Sequence, residues 1–347
     1  MDSLLSIEIG TANFHIAEGL SNKGSILVGN AMTFPIPENC ISAEVITNLP
    51  VLTEALSEAL RVFRPKSKNT VLTFNATNAI VRDIDLPSAK AKELNEMIRS
   101  ELVQVYHVLP SDVIQYKEIG SFSTDESARM KKYRAVAIDL DTIEQYYSLL
   151  IDSKLKPVAM DINVNTIDKL FTGDITVNDR ILSGNGTMLL DFGKTTTTIY
   201  IMAKGNPLFH RHISIGSGEI ERMINDETFT SELEIRKLKE RGYDFFGNDE
   251  AAKKYFAIMK PIFYNLMDEI RKIMGYFTSR NTSGNGGIDQ IYLYGGGSNL
   301  AGFAEYCESN LNIQTEEIKI ISKVKFVDAE TQISGYINAI GALIRNN

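Results

Sequence analysis

The chain is predicted to be an α/β protein of two similar lobes with a small inserted subdomain, and three observations predict it. Ile7-Glu8-Ile9-Gly10-Thr11 and Leu190-Asp191-Phe192-Gly193-Lys194 share one pattern, an acid at the end of an apolar strand two residues before a glycine. Each is followed by small or hydroxyl residues and a further apolar strand, so each reads as the opening of a lobe and the pair as an internal duplication. Between them, residues 86–155 read as an additional α/β unit inserted in the first lobe.

Composition agrees with this size and class. The 347 residues suffice for two or three domains, and 44% apolar with 23% charged residues is an ordinary globular mix. Acidic residues outnumber basic ones by 44 to 36, giving a net charge of −8, which argues against a broad nucleic-acid surface. Cys40 and Cys307 have no Cys-x-x-Cys spacing, so neither a zinc site nor a disulfide framework is indicated. Met1-Asp2-Ser3-Leu4 lacks the basic and apolar regions of a signal peptide, and no apolar run reaches the ~18–20 residues of a spanning helix. A cytoplasmic location is therefore expected.

The elements follow in order. Leu4 to Ile9 reads as a strand broken by Gly10, with further strands at Phe14 to Ala17 and around Ile26 to Val28. Leu49, Leu52, Leu56, Leu60 and Phe63 stand at helical spacing before a strand at Val71 to Phe74. Leu86-Pro87-Ser88 reads as a hinge, with Ser88 as the N-cap of a helix whose apolar face is Leu94, Ile98, Leu102, Val105 and Leu109, closed by Pro110. The polar stretch Ser121 to Lys132 reads as loop, Tyr133 to Ile138 as strand and Ile143 to Leu155 as helix. Strands at Met188 to Phe192 and Thr198 to Met202 open the second lobe. Met259, Phe263, Leu266, Ile270, Ile273 and Phe277 line a long helix that ends in the glycine-rich loop 281–287. The strand Ile291 to Tyr294 enters Gly295-Gly296-Gly297-Ser298, a helix is expected after it, and a small-residue helix from Ser334 to Ile344 closes the chain. The expected organisation is first lobe 1–85, insertion 86–155, first lobe continued 156–184, second-lobe core 185–230, its upper subdomain 231–286, core continued 287–325, and closing helix 326–347.

The acid–x–Gly turns carry the chemistry. A phosphate chain needs close donors, and glycine lets backbone N–H groups approach it. Thr195 to Thr198 add hydroxyls, and an acid at a strand end can hold Mg²⁺. Either turn alone reads first as an ordinary tight hairpin; as a pair, one from each lobe, they read as a phosphate grip. Gly193-Lys194-Thr195 is not a P-loop, because Met188 stands where that motif has its first glycine and a strand follows instead of a helix. Lys194 reads as either a phosphate ligand or a solvated turn lysine. Gly295-Gly296-Gly297-Ser298 allows backbone to lie against a ribose and base.

These three segments, in this order, resemble the actin/Hsp70/sugar-kinase superfamily, with connecting helices at Asn163 to Leu170 and Ser334 to Leu343. Within it the chain is most similar to the PilM family of type IV pilus assembly, and second to the FtsA division proteins. The more diagnostic part is Leu86-Pro87-Ser88 through Glu93-Leu94, Ile98, Glu101 and Val108-Leu109-Pro110, where such proteins open an inserted subdomain. The resemblance implies bound ATP and Mg²⁺. It places Glu8 and Asp191 at the metal, and Gly10, Thr11, Asn13, Gly193, Lys194, Thr195, Thr196, Gly295, Gly296, Gly297 and Ser298 around the nucleotide. Gly216 near the phosphates, and Glu234 with Lys237 near adenine and ribose, complete the set, although turn chemistry and a solvent-facing ion pair explain them as well.

Two residues depart from the family pattern: Glu8 stands for Asp, and Asn163 for Glu. Asn163 can position a water but cannot take its proton, which implies slow or absent ATP hydrolysis. The family further implies a cytoplasmic adaptor that docks the N-terminal cytoplasmic peptide of PilN in a groove between the insertion and the first lobe. It would reach the membrane only through that partner, with other pilus-assembly proteins and self-association open. An FtsA-like filament protein and a small-metabolite kinase of the same fold are the alternatives. His210 and His212 share a strand face without a third ligand, and His15 follows the first turn.

Overall fold

The computed structural model describes all residues except 1–2, 23, 43, 126–127, 183–185, 204, 281–286, 329–330 and 346–347. The chain opens with β1 (Leu4–Ile9), β2 (Asn13–Asn22), β3 (Ser25–Pro35), β4 (Ile41–Ser42), β5 (Val45–Ile46), α1 (Leu49–Phe63) and β6 (Asn69–Phe74). Then come β7 (Ile80–Pro87), α2 (Ala91–Tyr106), β8 (Val113–Asp125), β9 (Ala128–Ile138), α3 (Leu140–Asp152), β10 (Lys156–Ile162) and α4 (Asn163–Phe171). The second half runs β11 (Thr176–Val177), β12 (Arg180–Ile181), β13 (Thr187–Phe192), β14 (Thr197–Ala203), β15 (Asn206–Ile213), α5 (Ser217–Thr228), α6 (Glu232–Glu240) and α7 (Glu250–Arg280). It finishes with β16 (Gln290–Tyr294), α8 (Phe303–Leu311), β17 (Thr315–Glu317), β18 (Val324–Phe326), a 3-10 turn at Ile333–Tyr336 and α9 (Ile337–Ala342).

The duplication is visible in the sheets. One has the order β10-β6-β1-β2-β3-β18, the other β15-β14-β13-β16-β17. In each, a central strand pairs antiparallel with the strand after it and parallel with the strand on its other side: β1 with β2 and β6, β13 with β14 and β16. Central β1 and β13 read as nearly continuous apolar runs because both faces of their sheets are covered. Behind the second sheet, Met188, Leu190 and Phe192 share a core with Phe263, Leu266 and Ile270 of α7.

The chain divides into two compact units. Met1–Glu38, Ala55–Asn75 and Lys156–Asn347 form the first, which holds both of these sheets. Asn39–Glu54 and Ala76–Leu155 form the second, which contains residues 86–155 and adds flanking segments. Within the second unit, α2 packs Leu94, Ile98 and Leu102 with Ile84, Tyr133 and Ala135 of a β7-β9-β8 sheet.

Several sequence expectations need correction in this second unit. The stretch 121–132 is not a loop: β8 and β9 pair through it, Ser121 with Lys131 and Phe122 with Met130, apart from 126–127, which lie outside the described residues. Cross-strand pairing overrides the polar composition there. Leu86 and Pro87 are not a hinge but the end of β7, paired with Lys131 and Met130. The N-cap of α2 is Lys90 without a side-chain bond, not Ser88. The helix ends at Tyr106, with His107 in the left-handed region (φ 58°), so Val105 and Leu109 stay exposed while the rest of the expected face is buried. The expected loop 281–287 lies almost wholly outside the described residues. The closing segment is a 3-10 turn followed by the short α9, not one helix.

The connecting helices α4 and α9 pack closely because both carry small residues at the crossing. A Cβ on Gly341 would lie 2.4 Å from the Thr166 carbonyl oxygen. Gly341→Ala is therefore expected to destabilise the protein by about 1–3 kcal/mol through overpacking. Urea unfolding checks this, and an unchanged midpoint would show that the helices have room to part.

Candidate nucleotide and cation site

The two acid–x–Gly turns have one geometry. In the first, Ile9 pairs with Phe14 and the Gly10 N–H donates to the Asn13 carbonyl at 3.0 Å. In the second, Phe192 pairs with Thr197 and the Gly193 N–H donates to the Thr196 carbonyl at 2.9 Å. Added Cβ atoms would stand 3.2 and 2.9 Å from those carbonyl oxygens, which is why both turns carry glycine. The turns meet: the hydroxyls of Thr11 and Thr195 lie 3.0 Å apart, and Asn75 Nδ2 donates to Thr196 Oγ1 at 3.1 Å.

Behind the turns the two strand-end acids converge. Asn338 Nδ2, on α9, donates to Glu8 Oε1 at 2.7 Å and to Asp191 Oδ2 at 3.3 Å. Asn163 Nδ2 reaches the same Glu8 oxygen at 3.3 Å, while its Oδ1 accepts from Thr73 Oγ1 at 2.9 Å. Burial pushes Glu8 up to about 8, and the Asp191 charge adds to this, against the donors Asn338, Asn163 and the Ala339 N–H. Burial likewise pushes Asp191 up to about 7, opposed by the Asn338 bond. Two buried carboxylates that resist ionising are short of positive charge, which a divalent cation would supply.

The remaining predicted residues fall around this centre unevenly. Gly216 is the N-cap of α5, and a Cβ there would lie 2.3 Å from the Lys194 carbonyl oxygen. The next N–H groups, of Ser217 and Gly218, donate to Gly193 and Lys194 carbonyls at 2.9 and 2.8 Å, so the helix end holds the second turn. The Lys194 side chain lies near Gly218. Gly295 (φ 87°) has the Asp191 carboxylate beside its α-carbon, where a Cβ would meet Oδ1 at 2.3 Å. The Gly297 N–H donates to the Phe192 carbonyl at 2.7 Å, and Ser298 Oγ donates to the Gly295 carbonyl, also at 2.7 Å. Of the triplet, Gly296 alone faces open space. A turn separates it from α8, which begins at Phe303.

Glu234 and Lys237 are exposed, and the Glu234 carboxylate accepts from Ser231 in a capping box. A crevice instead opens between Gly297, the start of α5 and the other face of α6, lined by Ser217, Ile220, Ile235, Lys239 and Phe245. Lys239 Nζ donates there to the buried Glu221 at 2.7 Å. His210 and His212 stack edge-on at 5.9 Å, with His212 Nδ1 2.9 Å from Thr198 Oγ1, and His15 Nδ1 lies 3.0 Å from Thr33 Oγ1.

The family model for type IV pilus assembly protein PilM matches residues 6–346. The chain belongs to the PilM family. Among solved structures, the PilM of a PilM–PilN type IV pilus biogenesis complex is similar at a TM-score of 0.78 and 19% identity, covering 98% of this chain and 97% of that one. The ethanolamine utilization protein EutJ from Carboxydothermus hydrogenoformans follows at 0.55 and 11%, covering 99% and 89%. MreB5 of Spiroplasma citri bound to AMPPNP aligns at 0.51 and 10%, covering 98% and 95%. No curated protein sequence matches. These likenesses establish the actin-like fold expected from the repeated turns.

In this PilM family member the residues fit a nucleotide with a divalent ion. Among the described residues no three His, Cys, Asp or Glu side chains cluster as a metal site, and Glu8 and Asp191 are the two carboxylates that would hold an ion here. Asn338 Oδ1 and Asn75 Oδ1 are buried at this centre without a hydrogen-bond partner among the described residues. Sequence reasoning missed Asn338, Asn75, Lys239 and Glu221. The one local signal was Asn338 itself, an amide inside the small apolar run Ile337–Ala342.

Proposed function

We propose that the chain is an ATP-binding adaptor of type IV pilus assembly that docks the cytoplasmic N-terminal tail of PilN. The convergence of Glu8 and Asp191, one from each lobe, on the single amide of Asn338 carries the nucleotide part of this reading. PilM family membership and the solved PilM–PilN complex support the partner. In this reading Mg²⁺ sits at the two acids and offsets phosphate charge. The Gly10–Asn13 and Gly193–Thr196 turns take the phosphate chain, and the hydroxyls of Thr11 and Thr195, which meet each other at 3.0 Å, turn to its oxygens.

Nucleotide then biases how the lobes close, and turnover is slow or absent because Asn163, bonded to Thr73 and Glu8, cannot accept a proton. The protein works in the cytoplasm and meets the membrane through its partner; among the described residues no helix is long and apolar enough to cross one. Calorimetric titration with the PilN tail peptide, with and without Mg-ATP, tests this. Micromolar binding that differs between the two conditions is expected. No heat in either condition would remove the pilus-adaptor reading while leaving the cleft intact.

A further inference from the structure

We propose that Asn338 is a positioning residue of the cation site, holding the carboxylates of Glu8 and Asp191 at one spacing for a divalent ion. The inference rests on the Mg²⁺–nucleotide reading of the cleft and adds a residue that neither acid–x–Gly turn contains. Asn338 is 3% exposed, and its one amide nitrogen joins an acid from the first lobe to an acid from the second, at 2.7 and 3.3 Å. An amide nitrogen carries two protons, one for each carboxylate, and carboxylates only accept when ionised. With a cation holding both acids ionised, turning the amide over would aim its oxygen at two acceptors, so the nitrogen faces them.

That orientation leaves Oδ1 buried without a partner among the described residues. A buried acceptor kept unpaired calls for an explanation. Here the nitrogen is fully used on the acids, which is what leaves the oxygen unpaired. The following residue strengthens the grip, because the Ala339 N–H also donates to Glu8. The helix cannot drift, since Gly341, one turn on, lies against the Thr166 carbonyl of α4. Asparagine is a poor helix former, and this one stands among Ile, Ala and Gly in α9, where packing alone would select an apolar side chain. Side chains that orient metal-binding carboxylates from behind typically carry ten- to hundredfold of metal affinity.

The test titrates Mg²⁺ into ADP-saturated protein, and ADP into protein in EDTA, for the parent, Asn338→Leu and Asn338→Ser. Leucine keeps the branched shape and removes both polar ends; serine keeps a hydroxyl that can serve one acid only. The expected result is a ten- to hundredfold loss of Mg²⁺ affinity for leucine, a smaller loss for serine, and ADP affinity in EDTA within twofold of the parent. The Mg²⁺-induced rise in thermal midpoint should shrink in the same order. Unchanged Mg²⁺ affinity in the variants, or Mg²⁺ and ADP affinities falling in proportion, would overturn the assignment. A parent that binds ADP but no Mg²⁺ would overturn the cation reading of the cleft itself, and the role of Asn338 with it.

Discussion

Asp191→Asn is expected to abolish the Mg²⁺-dependent part of nucleotide affinity while leaving the protein folded. The side chain lies at the end of β13, accepts from Asn338 and sits against the α-carbon of Gly295, so the amide fits the same space. What changes is charge. A bound cation would lose one of two protein carboxylates, and removing one partner of a desolvated ionic contact costs about 3–5 kcal/mol, or about two to four decades in affinity. Without Mg²⁺ the same substitution relieves the repulsion between Asp191 and Glu8, so the nucleotide-free protein should be as stable as the parent or more so. Calorimetry with Mg-ATP and with ATP in EDTA, beside urea unfolding, separates the two effects. A variant that binds Mg-ATP as tightly as the parent would show that Asp191 does not hold the ion.

The second large effect is on stability against pH. Burial raises the folded-state values of Glu8 from 4.5 to about 8 and of Asp191 from 3.8 to about 7. Folded protein therefore binds more protons than unfolded chain between these limits, and unfolding free energy falls as pH rises. The contribution is complete below the unfolded values and lost above the folded ones. Burial lowers His15 to about 4 and lowers His212 as well, which acts in the opposite sense below about pH 6.5. The window free of the histidines is therefore pH 6.5 to 8.5; burial lowers Lys323 to about 8, which offsets part of the loss toward its upper end, so nucleotide-free protein should lose about 2 kcal/mol. Glu8→Gln should flatten most of that slope and raise stability at pH 8.5. Saturating Mg-ADP should flatten it as well, because the ion holds both acids ionised. Stability that rises across this window would mean that the two carboxylates are not crowded as described.

The sheets and turns were largely legible before the structure. An acid at the end of an apolar strand, followed by x-Gly, is a local signal, and strand periodicity and glycine placement are properties of neighbouring residues. Hence β1, β13, β16, α1 and α7 fall where the pattern places them, and the repeated turns announced the duplication. Local signals failed where partners distant in sequence took over. The polar residues 121–125 and 128–132 became strand because β9 lies between β7 and β8, and α6 turned Ile235 and Lys239, not Glu234 and Lys237, to the crevice.

The site divides in the same way. Sequence alone determined the actin-like fold, and it shows where the two acids, their glycine turns and Asn163 stand along the chain, because each is written in consecutive residues. Only the tertiary structure decided what stands between the acids. Asn338 lies 330 residues from Glu8 and 147 from Asp191, and no local pattern reports a contact made by packing one helix behind two strand ends. Burial, which raises both carboxylates, exists only in the folded chain, where residues distant in sequence cover them.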